Sequence, residues 1–220
     1  MISKLPRWVW YGSAALTFGA GMINAIGFLS FQHQGVTHLT GSTTLLGIAT
    51  ARGDLAAVAQ LAAVTGSFLL GCIASGALIR DSALKLGRSY GLALAAESAL
   101  LFCAVPLLAR ASHLGACLAS CACGIQNGLA STYSGAALRT THVSGSFTDL
   151  GILLGQKLRG LRSDNRRIGL CAMLIGTFFL GGLGGTIGYS YFGYSTLYFP
   201  ATFTGAVGVA YAIYRRRELD

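Results

Sequence analysis

Two histidines lie at matching places in a segment that the chain repeats, and their side chains could bind a solute or carry a proton. The first copy covers residues 37–47 and the second covers residues 141–151, with seven of eleven positions identical. His38 and His142 are equivalent in this alignment. Histidine titrates near neutral pH, so the pair could respond to protons or contact a substrate. The alternative is that each ring hydrogen-bonds a neighbouring carbonyl group and locks the backbone.

The two copies also carry hydroxyl groups and glycines, and an asparagine precedes each copy at nearly the same distance. Hydroxyl side chains cap helices, and buried amides join helices in membranes with about 0.6 to 2 kcal/mol each, so a purely structural role is the alternative. We hypothesise instead that these residues and the histidines form one substrate-binding site: Asn24, His38, Thr40, Gly41, Ser42, Asn127, His142, Ser144, Gly145 and Ser146.

Two acidic residues fall within apolar stretches of the chain. Asp149 belongs to the second copy, where the first has Leu45, and Glu97 lies in a separate apolar run. A carboxylate inside a membrane is costly and usually faces a cavity or the interior of the helix bundle. We hypothesise that both acids couple transport to a cation or proton. The alternatives are that Asp149 pairs with Arg139 or a loop base, and that Glu97 hydrogen-bonds a neighbouring helix.

The elements that position these residues are predicted to be membrane-spanning helices. Only 10% of residues are Asp, Glu, Lys or Arg, and the mean hydropathy is +0.61. Soluble domains usually have roughly 25% of these residues, so the chain lacks a charged shell. About 20 apolar residues carry a helix across the roughly 30 Å hydrocarbon layer. Runs of that length cover residues 8–31, 55–79, 90–109, 111–138 and, long enough for two passes, 168–214.

The positive charge of the chain predicts its orientation in the membrane. The net charge is +9, but Lys and Arg stand in short clusters without a basic helix, so nucleic acid is not an expected partner. Cytoplasmic loops carry the excess of Lys and Arg. Six spans with both termini in the cytoplasm place fourteen of the sixteen bases there and leave Arg52 and Arg110 outside. An alternative with eight spans divides the bases twelve to four.

The repeat predicts how the chain is divided. Residues 1–220 are expected to form a single membrane domain with one repeat half at 8–109 and the other at 111–214. Three spans in each half force the halves to face opposite ways across the membrane. The predicted fold is therefore an all-α polytopic transmembrane bundle of about six spanning helices, plus two short helices, built as two inverted three-helix repeats.

The two short helices are predicted at residues 42–51 and 146–158. Neither is long enough to cross the hydrocarbon layer, so each is expected to be a broken or re-entrant helix, with a full span as the alternative. Thr40, Ser42 or Thr43 is expected to cap the first helix, and Ser144 or Ser146 the second. Their positive N-terminal ends would point to the centre of the membrane, where they favour anionic or strongly polar guests.

The most specific motifs are residues 36–41 (VTHLTG), 124–127 (GIQN) and 139–151, in which RTTHVSG is followed by TDLG. With these motifs, nearly the whole chain resembles the YoaK-like family, a group of bacterial inner-membrane proteins of unknown function. The resemblance implies a location in the bacterial cytoplasmic (inner) membrane. It implies no substrate.

These patterns favour a small transporter or channel for a polar or anionic solute, in contact with the lipid bilayer. The alternative is a non-transporting scaffold, assembly or sensor protein. We do not expect an enzyme, because His142 and Ser144 are only two residues apart and nothing places a base beside a nucleophile. No metal or cofactor is expected, since Cys121 and Cys123 lack the spacing of a zinc site. Glycine-lined helix faces allow a homo-oligomer without requiring one.

Overall fold

The computed structural model describes residues 6–30, 35–79, 88–134 and 138–217, with the side chains of 7, 8, 88 and 214–217 left out. These residues form α-helices and one short 3-10 helix, with no strand among them. The helices are α1 (Arg7–Leu29), α2 (Leu39–Ala51), α3 (Leu55–Leu78), α4 (Arg88–Ala109), α5 (His113–Tyr133), α6 (Val143–Leu158), α7 (Asn165–Phe192) and α8 (Tyr198–Arg217), and the 3-10 helix Gly193–Leu197 joins the last two.

Four segments of the described chain are long and apolar enough to cross a membrane. They are Val9–Leu29, Leu55–Leu78, Ser89–Ala109 and Asn165–Ile213, and the fourth contains α7 and most of α8. Helix α5 is not among them. It lies inside the bundle, where 12 of its 21 residues are buried, and a helix enclosed by others does not need an apolar outer surface. The length and composition of the four segments indicate a membrane protein.

The outward surfaces of α3 and α7 carry large apolar side chains. Leu69, Leu70 and Ile73 of α3 are 59%, 62% and 56% exposed, and Phe179 and Leu180 of α7 are 68% and 51% exposed. Monomeric soluble proteins rarely show contiguous patches of this kind. These faces are suited to contact with the lipid bilayer.

The two short helices begin earlier than the sequence predicted. Helices α2 and α6 start at Leu39 and Val143, three residues before the predicted starts at 42 and 146, and end at Ala51 and Leu158 as predicted. At 1.5 Å per residue their 13 and 16 residues span about 20 and 24 Å, less than the roughly 30 Å hydrocarbon thickness.

Tight turns connect the short helices to the long ones that follow. Gly53 and Gly160 have φ of +69° and +71°, a left-handed conformation that other residues adopt only with strain. The next helix then begins at an aspartate: Asp54 accepts a hydrogen bond from the Ala57 amide, and Asp164 from the amides of residues 166 and 167. Because each turn is short, α2 runs antiparallel to α3, and α6 antiparallel to α7.

Close glycine contacts join α1 to α7. A Cβ on Gly181 would collide with the Phe18 carbonyl oxygen, and one on Gly185 would lie 2.8 Å from Cα of Met22. Nearer the start of both helices, Gly169 faces the Trp10 ring. Residue numbers rise together along this contact, so α1 and α7 run in the same direction.

Helices α3 and α5 make the equivalent contact. The Ser120 hydroxyl lies 2.9 Å from the Val64 carbonyl oxygen, and the Cys72 thiol donates to the Gly124 carbonyl oxygen at 3.4 Å. This pair of helices is therefore also parallel. It is the most extensive helix contact in the described structure, with α1 and α7 next.

Helices α4 and α8 pack antiparallel. The Ser98 hydroxyl donates to the Ala201 carbonyl oxygen at 2.7 Å, and nearer the start of α4 a Cβ on Gly91 would lie 2.9 Å from the Gly208 carbonyl oxygen. Short connections make α5 antiparallel to α4, and α8 antiparallel to α7. It follows that α1, α4 and α7 run in one direction and α3, α5 and α8 in the other.

Part of the charge pattern used to predict orientation lies outside the described residues. Lys4, Arg80 and Lys85 are not described, nor are the side chains of Arg7, Arg88 and residues 215–217. The same holds for residues 32–34 of the linker that precedes α2.

Candidate functional site

A cavity of about 280 Å³ lies where the two repeated segments approach each other. Its walls come from the residues before and at the start of α2 and α6, from the last third of α1 and α5, and from the middle of α3 and α7. The lining residues are Asn24, Thr37, His38, Leu39, Thr40, Phe68, Asn127, Arg139, Thr141, His142, Val143, Ser144 and Phe178. Residues from both halves of the chain thus form one chamber with both polar and apolar walls.

The two histidines stand in the same backbone conformation at the entrances to α2 and α6. His38 is the N-cap residue of α2 with φ −98° and ψ 69°, and His142 is that of α6 with φ −96° and ψ 64°. Both side chains are exposed and line the cavity. The ring of each folds back over the glycine three residues later, Gly41 or Gly145.

The prediction that hydroxyl side chains cap these helices was wrong. Neither N-cap has a side-chain cap hydrogen bond. Because the helices begin earlier than expected, Ser42 and Ser146 fall inside the first turn, and their hydroxyls donate back to the His38 and His142 carbonyl oxygens at 3.3 and 3.4 Å. The terminal N–H groups of both helices therefore remain without a side-chain cap beside the cavity.

Asparagine and threonine fix the backbone that leads into α2. Thr37 donates to Oδ1 of Asn24 from its hydroxyl at 2.8 Å and from its backbone N–H at 3.4 Å. Since a backbone N–H can only donate, the amide oxygen of Asn24 must face Thr37, and the amide nitrogen is left to donate elsewhere. Ser120 adds a contact from α5, 3.0 Å from the Val36 carbonyl oxygen.

The second half uses a related arrangement before α6. The Thr140 hydroxyl lies 3.3 Å from Oε1 of Gln126 and 3.5 Å from Oδ1 of Asn127. Gln126 is 1% exposed and donates to the Leu16 carbonyl oxygen at 3.1 Å, so its amide joins α5 to α1. In this respect Gln126 serves as a link between helices, while Asn127 faces the cavity.

The structure brings six of the ten predicted binding residues together around the central cavity: Asn24, His38, Thr40, Asn127, His142 and Ser144. Gly41 lies beneath the His38 ring, and Ser42 is buried without lining the cavity. Gly145 and Ser146 line a second cavity instead.

This second cavity, of about 450 Å³, lies between α6 and α7 and shares Arg139, His142 and Ser144 with the first. Asp149 and Arg167 line it and form an ion pair, with Arg167 Nη2 2.9 Å from Asp149 Oδ2. Of the two alternatives for this acid, pairing with a base near a loop is what the structure contains, and the partner is Arg167 rather than Arg139.

Glu97 lies apart from both cavities. It is 1% exposed within α4, and neither carboxyl oxygen has a hydrogen-bond partner among the described residues. Helix α4 packs on α5 and α8. The predicted coupling pair is therefore split, with Asp149 in a cavity wall and Glu97 in the packed interior.

Seven residues that line the central cavity were not among the predicted binding residues. Four of them belong to the repeated segments, Thr37, Leu39, Thr141 and Val143, and the other three are Phe68, Phe178 and Arg139. Phe68 and Phe178 line it from α3 and α7. Each is the third residue of a further pair of similar stretches, GSFLLG at 66–71 and GTFFLG at 176–181. That shared position was the signal that could have found them. Arg139 was assigned to a cytoplasmic loop, but it lines both cavities. Its position three residues before His142 was the available clue.

The part of the chain that the structure describes contains no cluster of metal ligands. No three His, Cys, Asp or Glu side chains come together there in a way that could hold an ion. The polar groups that line the central cavity are amides, hydroxyls, imidazoles and one guanidinium, beside the apolar side chains of Leu39, Phe68, Val143 and Phe178. A wall that combines apolar side chains with polar groups suits a small polar solute.

The fold and the cavity together define an all-helical protein with apolar helices of membrane-spanning length. The chain belongs to the family described as "Protein of unknown function (DUF1275)", whose model matches residues 12–210. The resemblance to the YoaK-like family is consistent with this membership. No curated protein and no solved structure matches the chain.

Proposed function

We propose that the protein is a small membrane transporter or channel for a polar or anionic solute, and that the solute binds in the cavity between the two repeated segments. One observation carries the proposal: a single cavity is lined by His38 and Asn24 from the first half and by His142 and Asn127 from the second. Paired sites of this kind, at the interface of two repeats, are typical of secondary transporters.

The proposed architecture is one domain of six spans, arranged as two inverted repeats. Helices α1, α2, α3 and α4 correspond in order and length to α5, α6, α7 and α8. Each long helix runs opposite to its counterpart: α1 against α5, α3 against α7, and α4 against α8. Two halves related in this way face opposite sides of a membrane.

The charge of the equivalent turns supports this orientation. The turn between α6 and α7 and its flanks carry Lys157, Arg159, Arg162, Arg166 and Arg167, whereas the turn between α2 and α3 carries Arg52 beside Asp54. If cytoplasmic loops hold the excess of basic residues, the turn between α6 and α7 lies in the cytoplasm and the turn between α2 and α3 lies outside. We therefore propose a cytoplasmic-membrane protein of bacteria with both termini inside.

The short helices α2 and α6 would then enter from opposite faces and meet at the cavity. Both are too short to cross the hydrocarbon layer, and both begin at the cavity wall. Irregular backbone at membrane depth is tolerated where protein buries it or where it lines a wet cavity. The N-terminal ends of both helices contribute partial positive charge to the site.

The two acids enter the proposal in different ways. Asp149 lies in the second cavity, on the side of the basic turn, where a proton or cation could reach it. Glu97 is buried in α4, which packs against α5 and α8. A transport mechanism that moves α4 relative to either helix would change the surroundings of this carboxyl group. We propose that both contribute to coupling.

A non-transporting scaffold is the second candidate, and hydrogen bonds of the repeated segments favour it. Asn24 holds Thr37, Ser120 contacts the Val36 carbonyl oxygen, and Gln126 joins α5 to α1. These contacts would be needed in any protein with this backbone. The scaffold interpretation gives no role to the rings of His38 and His142, which make no such hydrogen bond with the described residues.

Cysteine accessibility separates the two candidates. In a background with the six native cysteines replaced by alanine, we expect His38→Cys and His142→Cys to react with a membrane-impermeant thiol reagent in vesicles opened to both faces. Arg52→Cys in the exposed turn is the positive control, and Ala122→Cys, at a site 0% exposed, is the negative control. If only Arg52→Cys reacts, positions 38 and 142 are not accessible to water and the proposed wet cavity does not exist.

A comparison of solutes then tests transport itself. Cells that produce the wild-type protein should differ in at least one small polar solute from cells that produce equal amounts of a His38→Ala, His142→Ala double variant. Uptake of that solute into proteoliposomes should follow the same difference. Equal solute profiles in the two strains would favour the scaffold.

A further inference from the structure

Arg139 gives the central cavity a charge that its repeat partner lacks. It lies three residues before His142, whereas the residue three before His38 is Gly35. Its side chain is exposed and lines both the central and the second cavity. No acidic residue is among the described residues that line the central cavity.

The Arg139 guanidinium has no ion pair and no hydrogen bond with any described part of the chain. The acid that lines the adjoining cavity, Asp149, is already paired with Arg167 at 2.9 Å. An arginine at membrane depth is costly and is usually paired. The Arg139 guanidinium therefore faces the cavity without a partner, and a bound ligand could supply one.

Other polar groups on the wall can also donate hydrogen bonds to a guest. Asn24 uses its amide oxygen on Thr37, which leaves its amide nitrogen to donate to a guest. The first-turn N–H groups of α2 and α6 have no side-chain cap. These donors and the guanidinium all favour a negatively charged group.

We propose that the solute is a small oxyanion, such as a carboxylate or a phosphate, and that Arg139 binds its charged group between the two histidines. This inference rests on the proposed function and names its substrate class. The guanidinium fork matches the two oxygens of an oxyanion, which a lysine or a lone amide does not. At about 280 Å³, the cavity has room for a solute of modest size.

Two thiol reagents of opposite charge test the proposal without knowledge of the natural solute. Methanethiosulfonates with a sulfonate or a trimethylammonium group share one reactive head and differ in charge. Each rate at His38→Cys and at His142→Cys is divided by the rate of the same reagent with free 2-mercaptoethanol in solution. We expect the corrected rates to favour the anionic reagent by roughly tenfold, the size of effect that a unit charge produces at close range in a partly wet site.

Substitution of Arg139 shows whether this residue is the cause. In both cysteine backgrounds, Arg139→Gln should abolish the preference and Arg139→Lys should retain most of it. Arg52→Gln removes one positive charge at the exposed turn after α2 and should leave the preference unchanged. Elution of each variant as a single species in detergent shows that the fold is intact.

The outcomes separate this inference from the function on which it rests. No reaction at either cysteine, while Arg52→Cys reacts, would overturn both the cavity and the anion. Reaction with no preference, or with preference for the cationic reagent, would leave a wet cavity and overturn the anion. A preference that persists in Arg139→Gln would overturn the role of Arg139.

Discussion

The ring of His142 lies across the first turn of α6, directly over Gly145. A Cβ on residue 145 would lie 2.9 Å from Cε1 of that ring, and a Cβ on residue 41 would lie 2.7 Å from Cδ2 of His38. The atoms that block a larger residue at these two positions belong to side chains and not to the backbone. The glycines therefore determine where the histidine rings can lie rather than whether α2 and α6 can form.

The first prediction is that Gly41→Ala and Gly145→Ala move the rings without unfolding the protein. Alanine is the better helix former by about 1 kcal/mol, which offsets the cost of moving a ring. Thermal unfolding in detergent should show little loss, whereas modification of His38 and His142 by diethyl pyrocarbonate, read by mass spectrometry, should change in rate.

Matched controls exist six residues further along the same helices. Gly47 and Gly151 are equivalent in the repeat, and a Cβ at either would meet nothing within 4 Å. Gly47→Ala and Gly151→Ala should leave the histidine rates unchanged. If all four variants behave alike, the glycines under the rings have no special role.

The second prediction concerns the closest helix contacts. Gly71→Ala would push a methyl group into the Cys121 carbonyl oxygen, and Gly181→Ala would push one into that of Phe18. Backbone cannot move aside as a side chain can, so each variant should lose about 1 to 3 kcal/mol of stability and unfold at a lower temperature. Gly66→Ala and Gly176→Ala are the controls, because a Cβ at either meets nothing within 4 Å.

The control variants should unfold at the wild-type temperature or slightly above it. If all four variants lost the same amount of stability, close helix contact would not explain the need for glycine at positions 71 and 181.

The third prediction tests the ion pair between Asp149 and Arg167. The two side chains are 44% and 41% exposed, so the pair should contribute no more than about 1 kcal/mol to stability. Asp149→Asn should therefore accumulate normally and, under the coupling hypothesis, should take up its solute poorly in proteoliposomes.

A double variant separates coupling from simple charge balance. Asp149→Asn with Arg167→Gln removes both charges, so any defect caused by an unpaired arginine should disappear. We expect uptake to remain impaired. Recovery of full uptake would mean that the carboxylate itself is not needed.

The fourth prediction separates shape from charge at Glu97. Glutamine has nearly the shape of glutamate, so Glu97→Gln should keep the unfolding temperature and the yield, whereas Glu97→Ala should lose about 2 kcal/mol through the cavity it leaves. Under the coupling hypothesis, Glu97→Gln should still impair uptake. Full uptake in this stable variant would remove Glu97 from the mechanism.

The helical fold could largely be predicted from the sequence, because apolar run length is a direct physical requirement of a bilayer. The ends of α2 and α6 at Ala51 and Leu158 were also predictable, since glycine or charged residues follow them. Their starts were not. The prediction assumed a capping hydroxyl, and the hydroxyls of Ser42 and Ser146 instead bind the carbonyl one turn back.

The candidate site was predictable only in part. Repetition pointed to His38 and His142, and the structure places both in one cavity. Arg139 was overlooked because a base between apolar runs is usually a loop residue, and sequence alone does not show that this side chain lines a cavity. Glu97 is a comparable case, since its sequence context does not show whether it faces a cavity or packed helices.

The pairing of α1 with α7 and of α3 with α5 has a consequence for biogenesis. Each of these early helices leaves the ribosome before its main partner has been translated, so the first half enters the membrane with its glycine-lined faces uncovered. Final assembly must wait until the last third of the chain is made. Coexpression of two fragments split between α4 and α5 should therefore yield protein where either fragment alone is degraded.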